Sequence, residues 1–168
     1  MTRYQVDSLS FEFPDDWKVS KFDDWKFYRK HFSKMKNGIK ALDLIALSPG
    51  RTLYLIEVKD YRFHRRKDDV PIQDVIINKV LGTLSALLPA SLNANNFEEK
   101  KMAKKCLGAK KIRVIFHLEQ PQNPSRLFPP VIDGARFYQV LKKSLRSIDP
   151  HPKIQSNKDP DAEPKFWK

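Results

Sequence analysis

The sequence predicts an α/β domain in which a small mixed β-sheet is flanked by helices, and three observations point to it. Two strand-like apolar runs, residues 39–47 and 52–59, stand on either side of a Pro49-Gly50 turn signal. One apolar stripe, Ile72, Val75, Ile76, Val80, Leu84, Leu87 and Leu88, recurs at helical spacing over 71–88. Residues 110–119 alternate, with Ile112, Val114, Phe116 and Leu118 on one face and Arg113, Ile115, His117 and Glu119 on the other. At 168 residues the chain is one domain's worth, long enough to bury a substantial core.

Taken in order, residues 8–19 read as an extended opening segment broken by Pro14. Residues 21–32 read as a helix: Phe22, Trp25, Phe32 and the Phe27/Tyr28 pair recur at helical spacing, and Asp23 and Asp24 near the start suit the helix dipole. After the two strands, 60–69 is a polar and basic loop. Pro71 opens the long helix and Pro89 closes it. Lys79 and Thr83 fall inside its stripe, where a lysine either snorkels outward or reaches a polar site beneath the helix. Residues 97–107 form a short, highly charged helix, and 137–148 an amphipathic one using Phe137, Val140, Leu141, Leu145 and Ile148. Twelve prolines, eight of them from Pro121 onward, mark the last third as loop-rich. A single domain over 1–148 is therefore expected, followed by a proline-rich tail over 149–168. That tail is a linker or lies along the surface, with Phe166 and Trp167 as anchors.

A formal charge of +12 and a pI of about 9.8 favour polyanionic partners. The lone Cys106 has no partner for an intramolecular disulfide, and a reducing cytoplasm is the natural compartment. Residues 1–7 carry no apolar core for a signal peptide, and no apolar run approaches membrane-spanning length, so no membrane partner is expected. No zinc-ligand spacing, P-loop or Ser/Cys nucleophile arrangement is present.

Charged residues interrupt the two apolar strands where burial normally excludes them. Asp43 lies in the first, and Glu57 and Lys59 end the second. A carboxylate against an apolar sheet costs several kcal/mol without a cation, a partner or water (roughly, from transfer data). Residues two apart in a strand share a face, so Glu57 and Lys59 point together with Leu53 and Leu55. Asp43 joins them only if the turn holds an odd number of residues. A loop of Pro49, Gly50 and Arg51 closed by Ser48 and Thr52 gives that register, with Gly50 supplying the left-handed position. A turn shorter by one residue would put Asp43 on the wrong face unless a bulge shifted it back. Two carboxylates with a lysine beside them suggest a divalent metal site and phosphodiester chemistry. Mg²⁺ wants hard oxygen ligands, and Asp43, Glu57 and the backbone carbonyl of Val58 supply them, with Mn²⁺ as a substitute. Lys59 either takes a depressed pKa by desolvation or simply orients the attacking water and stabilises charge.

Asp43, Glu57 and Lys59 resemble the Asp…Glu-x-Lys signature of the PD-(D/E)XK nuclease superfamily, whose fold is restriction-endonuclease-like. The resemblance is sharp over 39–62 and extends over about 22–120 as an order of elements, helix–strand–strand–strand–helix–strand. Leu42 stands where the family signature often has proline. The resemblance implies a metal-dependent nuclease in which Asp43 and Glu57 hold the ion and Lys59 acts on water, with DNA favoured over RNA. It also implies an additional acid on the preceding helix, Asp24 with Asp23 as the alternative, and a polar residue such as Lys79 on the flanking helix. Arg62, His64, Arg65, Arg66 and Lys67 leave the end of the strand directly and are candidate phosphate contacts, together with Lys79. Lys100, Lys101, Lys104, Lys105, Lys110 and Lys111 make a denser run, preceded by Glu98 and Glu99, of the kind that usually forms a solvated face. His117 and Glu119 share a strand face without a visible partner. Two other readings stand beside the nuclease. One is a nucleic-acid-binding protein on the same fold that is inactive or needs a partner for activity or specificity. The other is a structural or assembly subunit whose basic surface meets an acidic protein.

Overall fold

The turn between the two central strands sets the architecture, because it fixes which side chains face which side of the sheet. The structure is a computed structural model describing residues 1–63, 66, 69–121, 123, 132–160, 162 and 164–166. Strands β1 (Thr2–Val6), β2 (Leu9–Phe13) and β3 (Lys18–Lys21) precede a short α1 (Lys26–Lys30). The central hairpin is β4 (Leu44–Leu47) and β5 (Thr52–Asp60), followed by α2 (Ile72–Asn93), α3 (Phe97–Leu107), β6 (Lys111–Glu119), α4 (Gly134–Ser144) and β7 (Lys153–Gln155). β3 to β7 form one five-stranded sheet in chain order, while β1 and β2 pair as a separate hairpin. β3, β4 and β5 run antiparallel, and β5, β6 and β7 run parallel, so the sheet is mixed.

β4 meets β5 with Leu44 opposite Ile56 and Leu47 opposite Leu53, which leaves Pro49, Gly50 and Arg51 as the loop inside the Ser48–Thr52 closure. The odd-length turn is present, but its left-handed residue is Arg51, with φ 61°, rather than Gly50. Arg51 is held there by its own contacts: Nε donates to the Gly108 carbonyl at 2.7 Å, and the Arg51 carbonyl accepts from Lys110 N at 2.8 Å. These bonds offset the strain of a non-glycine residue in that region.

The two faces of the sheet carry different cores. On one, Leu53 and Leu55 of β5 and Phe116 of β6 pack against Ile76, Val80 and Leu87 of α2 and Leu141 of α4. On the other, Ile56, Val58 and Ile115 pack under Phe11 and Phe13 of the β1–β2 hairpin and under Phe166. Helices therefore cover one face, and a hairpin with part of the C-terminal segment covers the other.

Several elements depart from the pattern in the sequence. Residues 21–32 are not one helix: turns at Phe22–Asp24 and Phe32–Lys34 flank α1, and Trp25 between them is extended, with ψ 133°. The break buries both Phe22 and Trp25, lets the Trp25 indole donate to Ser20 Oγ at 2.7 Å, and gives α1 a start capped by Glu99, whose oxygens accept from Lys26 N and Phe27 N. The order over 22–120 is accordingly helix, two strands, two helices, strand; the third antiparallel strand, β3, comes before α1. The segment before Pro14 is a hairpin, with Asp7 in the left-handed region at its turn. β7 and the buried Phe166, stacked on Phe13 at 4.6 Å, tie the tail into the fold. Trp167 lies outside the described residues.

α2 runs through Pro89 to Asn93 instead of ending at Leu88. Proline inside a helix removes one hydrogen bond and costs about 3 kcal/mol. Burial of Ala86, Leu87, Ala90 and Ser91 around it, together with Ala94 beyond, supplies the opposing gain. At 22 residues, with a mean hydropathy of 1.6 in its most apolar window, α2 is long and apolar enough to cross a membrane, contrary to the reading of the sequence. Here its apolar side packs into the core, while Leu81, Leu88 and Leu92 are exposed.

The seating of α2 depends on one glycine. A Cβ at Gly82 would lie 2.1 Å from the Lys40 carbonyl oxygen and 2.9 Å from Ile39 Cγ2. Next to it, Thr83 Oγ1 accepts from Leu42 N at 2.9 Å. Helix and strand-entry segment thus touch backbone to backbone. Gly82→Ala should destabilise by about 2 kcal/mol or more, lowering Tm by roughly 4 °C or more. A thermal melt of the variant checks this, and an unchanged Tm would mean the helix can shift at no cost. Phe166→Ala should cost about 3 kcal/mol by cavity formation under the β1–β2 hairpin, measured by urea unfolding. A loss below about 0.5 kcal/mol, the level of ordinary surface changes, would mark the tail as peripheral.

Candidate active site

The site lies where β4 enters and β5 leaves the sheet, on the face covered by α2. Continuing the hairpin register by one pair sets Asp43 opposite Glu57. The Asp43 carbonyl accepts from Phe22 N at 3.0 Å and its Oδ2 from Val58 N at 2.7 Å, so the backbone fixes this carboxylate. Glu57 is completely buried. Its Oε1 takes the Lys59 ammonium at 2.8 Å and the Lys79 ammonium at 2.6 Å. Lys79 Nζ also stands 3.7 Å from Asp43 Oδ1, bridging the two carboxylates. Glu57 Oε2 is buried and has no hydrogen-bond partner among the described residues.

The charges perturb one another in ways the burial explains. Desolvation pushes the Glu57 carboxyl up to about 7, and the Asp43 charge adds to it, against the opposing pull of Lys59 and Lys79. Burial draws the Lys59 ammonium down, but the attraction of Glu57 and Asp43 and the hydrogen bond to Glu57 outweigh it, so its pKa is raised. A depressed Lys59 is thus not what these neighbours produce. Asp23 is pushed up by burial and then by the charges of Asp43 and Asp24, with Lys21 and Lys79 opposing. Its Oδ1 is also buried without a partner among the described residues.

Asp43, Glu57, Lys59 and Lys79 are therefore brought together. Val58 contributes its amide to Asp43, while its side chain packs on the opposite face. Asp24 does not turn to this cluster: it pairs with Lys21 at 3.3 Å and with Arg29 on the surface. The acid sensing Asp43 is Asp23, because the break at Trp25 rotates the turn away from the helical phase that would have favoured Asp24. No sequence signal marks that break; it depends on Trp25 and Phe22 both finding the core.

Arg62 is placed on the other side. β5 continues to Asp60, whose side chain follows strand period onto the opposite face, and Arg62 Nε and Nη2 close on its two oxygens at 2.9 and 2.6 Å. Ser8 joins the same cluster. Arg66 donates to the Val70 carbonyl, whereas His64, Arg65 and Lys67 lie outside the described residues. His117 is buried 3.0 Å from Glu119 Oε1, edge-on to Phe11, on this opposite face. Glu119 also accepts from Asn157 N at 2.5 Å. Lys101 of the lysine-rich α3 lies over the Phe97 ring.

Two adjacent carboxylates with one open, buried oxygen are hard ligands of the kind Mg²⁺ or Mn²⁺ takes, and the Lys79 ammonium already occupies a cationic place between them. No group of three or more His, Cys, Asp or Glu side chains converges at ligand distance among the described residues. A divalent ion here would complete its shell from backbone, water and substrate oxygen, as Mg²⁺ commonly does.

No family model matches the chain, and no solved structure matches it. It is similar to a cysteine–tRNA ligase of Neisseria meningitidis, 30% identical over 169 residues, in a match covering 82% of this chain and 24% of the ligase. The chain thus spans about a quarter of the length of that curated relative.

A carboxyl whose pKa is higher in the folded than in the unfolded chain binds protons more tightly when folded, so its contribution to stability is lost as pH rises. For Glu57 that window runs from its usual 4.5 to about 7. In chelator, wild-type Tm relative to that of Glu57→Gln should fall across this window. Parallel Tm curves for the two proteins would show that Glu57 ionises normally in the fold.

Proposed function

We propose that the protein is a metal-dependent nuclease with a restriction-endonuclease-like core, hydrolysing phosphodiester bonds at the Asp43–Glu57–Lys59 face. One observation carries this reading: Glu57 is fully buried beside Asp43, with Oε2 open and lysine ammonium groups as its only cationic partners among the described residues. A purely structural ion pair gains little from such burial, since desolvation offsets the Coulombic attraction. A site that must concentrate charge for chemistry uses it directly.

Asp43 and Glu57 would hold Mg²⁺ or Mn²⁺ through their side-chain oxygens, with the carbonyl of Val58, next to Glu57 in the chain, as a further ligand. The ion, when bound, supplies Lewis-acid polarisation of the phosphate and acidifies water. Val58 N–H keeps Asp43 Oδ2 in place, leaving Oδ1 for the cation. Lys59, tethered to Glu57 at the strand end, presents N–H donors to the attacking water and to charge developing on the phosphorane. Asp23 adds a further acid to the rim. Lys79 presents a positive charge to a phosphate entering beneath α2. The +12 charge supports a polyanionic substrate, and the resemblance favours DNA.

A second substrate reading, RNA, is favoured by the match to a protein named as a tRNA ligase. Both are tested in one assay. Plasmid DNA, DNA oligonucleotides and a folded tRNA transcript are incubated with protein in Mg²⁺, Mn²⁺ or chelator. Metal-dependent cleavage is expected, reduced about 100-fold or more in Lys59→Ala and in Asp43→Asn. Cleavage that persists unchanged in these variants would come from a contaminant and end the assignment. Salt-sensitive binding without cleavage would favour a binding protein on this fold, and no binding at low salt a subunit that meets an acidic protein.

A further inference from the structure

Lys79 is built into the carboxylate pair more deeply than a phosphate contact requires. It comes from α2, across the core from the strands, yet its Nζ sits 2.6 Å from Glu57 Oε1 and 3.7 Å from Asp43 Oδ1. Its side chain is only 14% exposed. Lys59, by contrast, pairs among the described residues with Glu57, from the same strand, and is 26% exposed. Lys79 therefore holds the gap between the two acids, and Lys59 lies to one side of it.

Charge counting shows what this does. Asp43 and Glu57 are matched by Lys59 and Lys79, so the formal charges of the contacting set cancel. A divalent ion added to that set leaves it net positive, and like charges then crowd the gap where Lys79 lies. Lys79 has a long, flexible stem on a helix, so its ammonium can swing outward while the backbone stays in place. Outside, the fitting partner for it is an anion.

Resting on the metal-site reading above, we propose that Lys79 is a displaceable cation plug: its ammonium occupies the Asp43–Glu57 gap, leaves it when a divalent ion enters, and pairs instead with a nucleic-acid phosphate. Ion and polyanion then bind cooperatively. Each relieves a cost imposed by the other, since the phosphate supplies the partner that the displaced ammonium needs. By linkage, the factor by which nucleic acid tightens ion binding equals the factor by which the ion tightens nucleic-acid binding.

The test is Mn²⁺ binding, read by electron paramagnetic resonance, on the full chain, with and without a nuclease-resistant phosphorothioate DNA oligonucleotide. Wild-type protein should bind Mn²⁺ weakly alone and at least about fivefold more tightly with the oligonucleotide. Lys79→Met should bind Mn²⁺ alone at least about fivefold more tightly than wild type, with most of the oligonucleotide effect gone. Lys59→Met is the control for charge removal at the same glutamate and should change Mn²⁺ affinity by less. If Lys79→Met does not fold by circular dichroism, Lys79→Gln serves for the same comparison. A Lys79 variant that binds Mn²⁺ no more tightly than wild type overturns the plug, as does an equal gain in Lys59→Met. Mn²⁺ binding that survives unchanged in Glu57→Gln is a different failure: the ion is then held elsewhere, and the metal-site reading falls together with the plug.

Discussion

A carboxylate removed entirely from water near the end of a central strand is the constraint around which this molecule is arranged. Glu57 on β5 is not left alone there, because an unpaired buried charge costs several kcal/mol, a large part of a domain's margin of about 5–15 kcal/mol. Its charge demands cations, and the fold brings two from different directions. Lys59 arrives from the same strand by period two, and Lys79 from the helix above. The second requires α2 to lie close to the strands, which the absent side chain at Gly82 permits and the Thr83–Leu42 hydrogen bond secures. The same contact positions residues 39–42, and hence Asp43. One buried acid thus connects hairpin register, helix docking and the second acid.

Strand period also sorts the chemistry by face. Residues 53, 55, 57 and 59 of β5 look toward the helices, while 54, 56, 58 and 60 look toward the hairpin and Phe166. Asp60 follows Lys59 in sequence but serves the other face, where it captures Arg62 and Ser8. Arg62 therefore belongs to the packing that closes the hairpin onto the sheet, although its place in the chain suggested phosphate binding. The buried His117–Glu119 pair, with Asn157 donating to Glu119, lies on that face too and ties β6 to the C-terminal segment. Among the described residues, the Glu57 cluster holds an oxygen without a hydrogen-bond partner, whereas Asp60 is closed by Arg62 and Ser8.

What the sequence made legible follows from short-range rules. The hairpin register came from turn length and period two, and the charged run over 97–107 is α3, whose start the structure shows capped by Asn96 accepting from Glu98 N and Glu99 N. The four residues Asp43, Glu57, Lys59 and Lys79 could be named from their positions in apolar patterns. The misses are long-range. The break at Trp25, which moves Asp23 rather than Asp24 toward Asp43, depends on two aromatic rings packing 4.5 Å apart and on Glu99 from a distant helix capping α1. α2 passes Pro89 because burial on both sides of it outweighs one lost hydrogen bond. Arg51 displaces Gly50 at the left-handed position because its side chain and carbonyl find partners around Gly108 and Lys110. β7 is three residues long and pairs only through β6, so nothing local marks it as a strand.

The division of labour between the two lysines has a structural logic. Lys59 leaves the same strand as Glu57, two residues on, so its stem starts beside the carboxylate it pairs with. Lys79 reaches the same oxygen from α2, across the space between helix and strand, and alone of the two also stands within ion-pair distance of Asp43. With one charge on the strand and one on the helix, the ammonium in the gap can leave while the other still pairs with the buried acid. Glu57 Oε2, open beneath both, is the atom that benefits from the exchange.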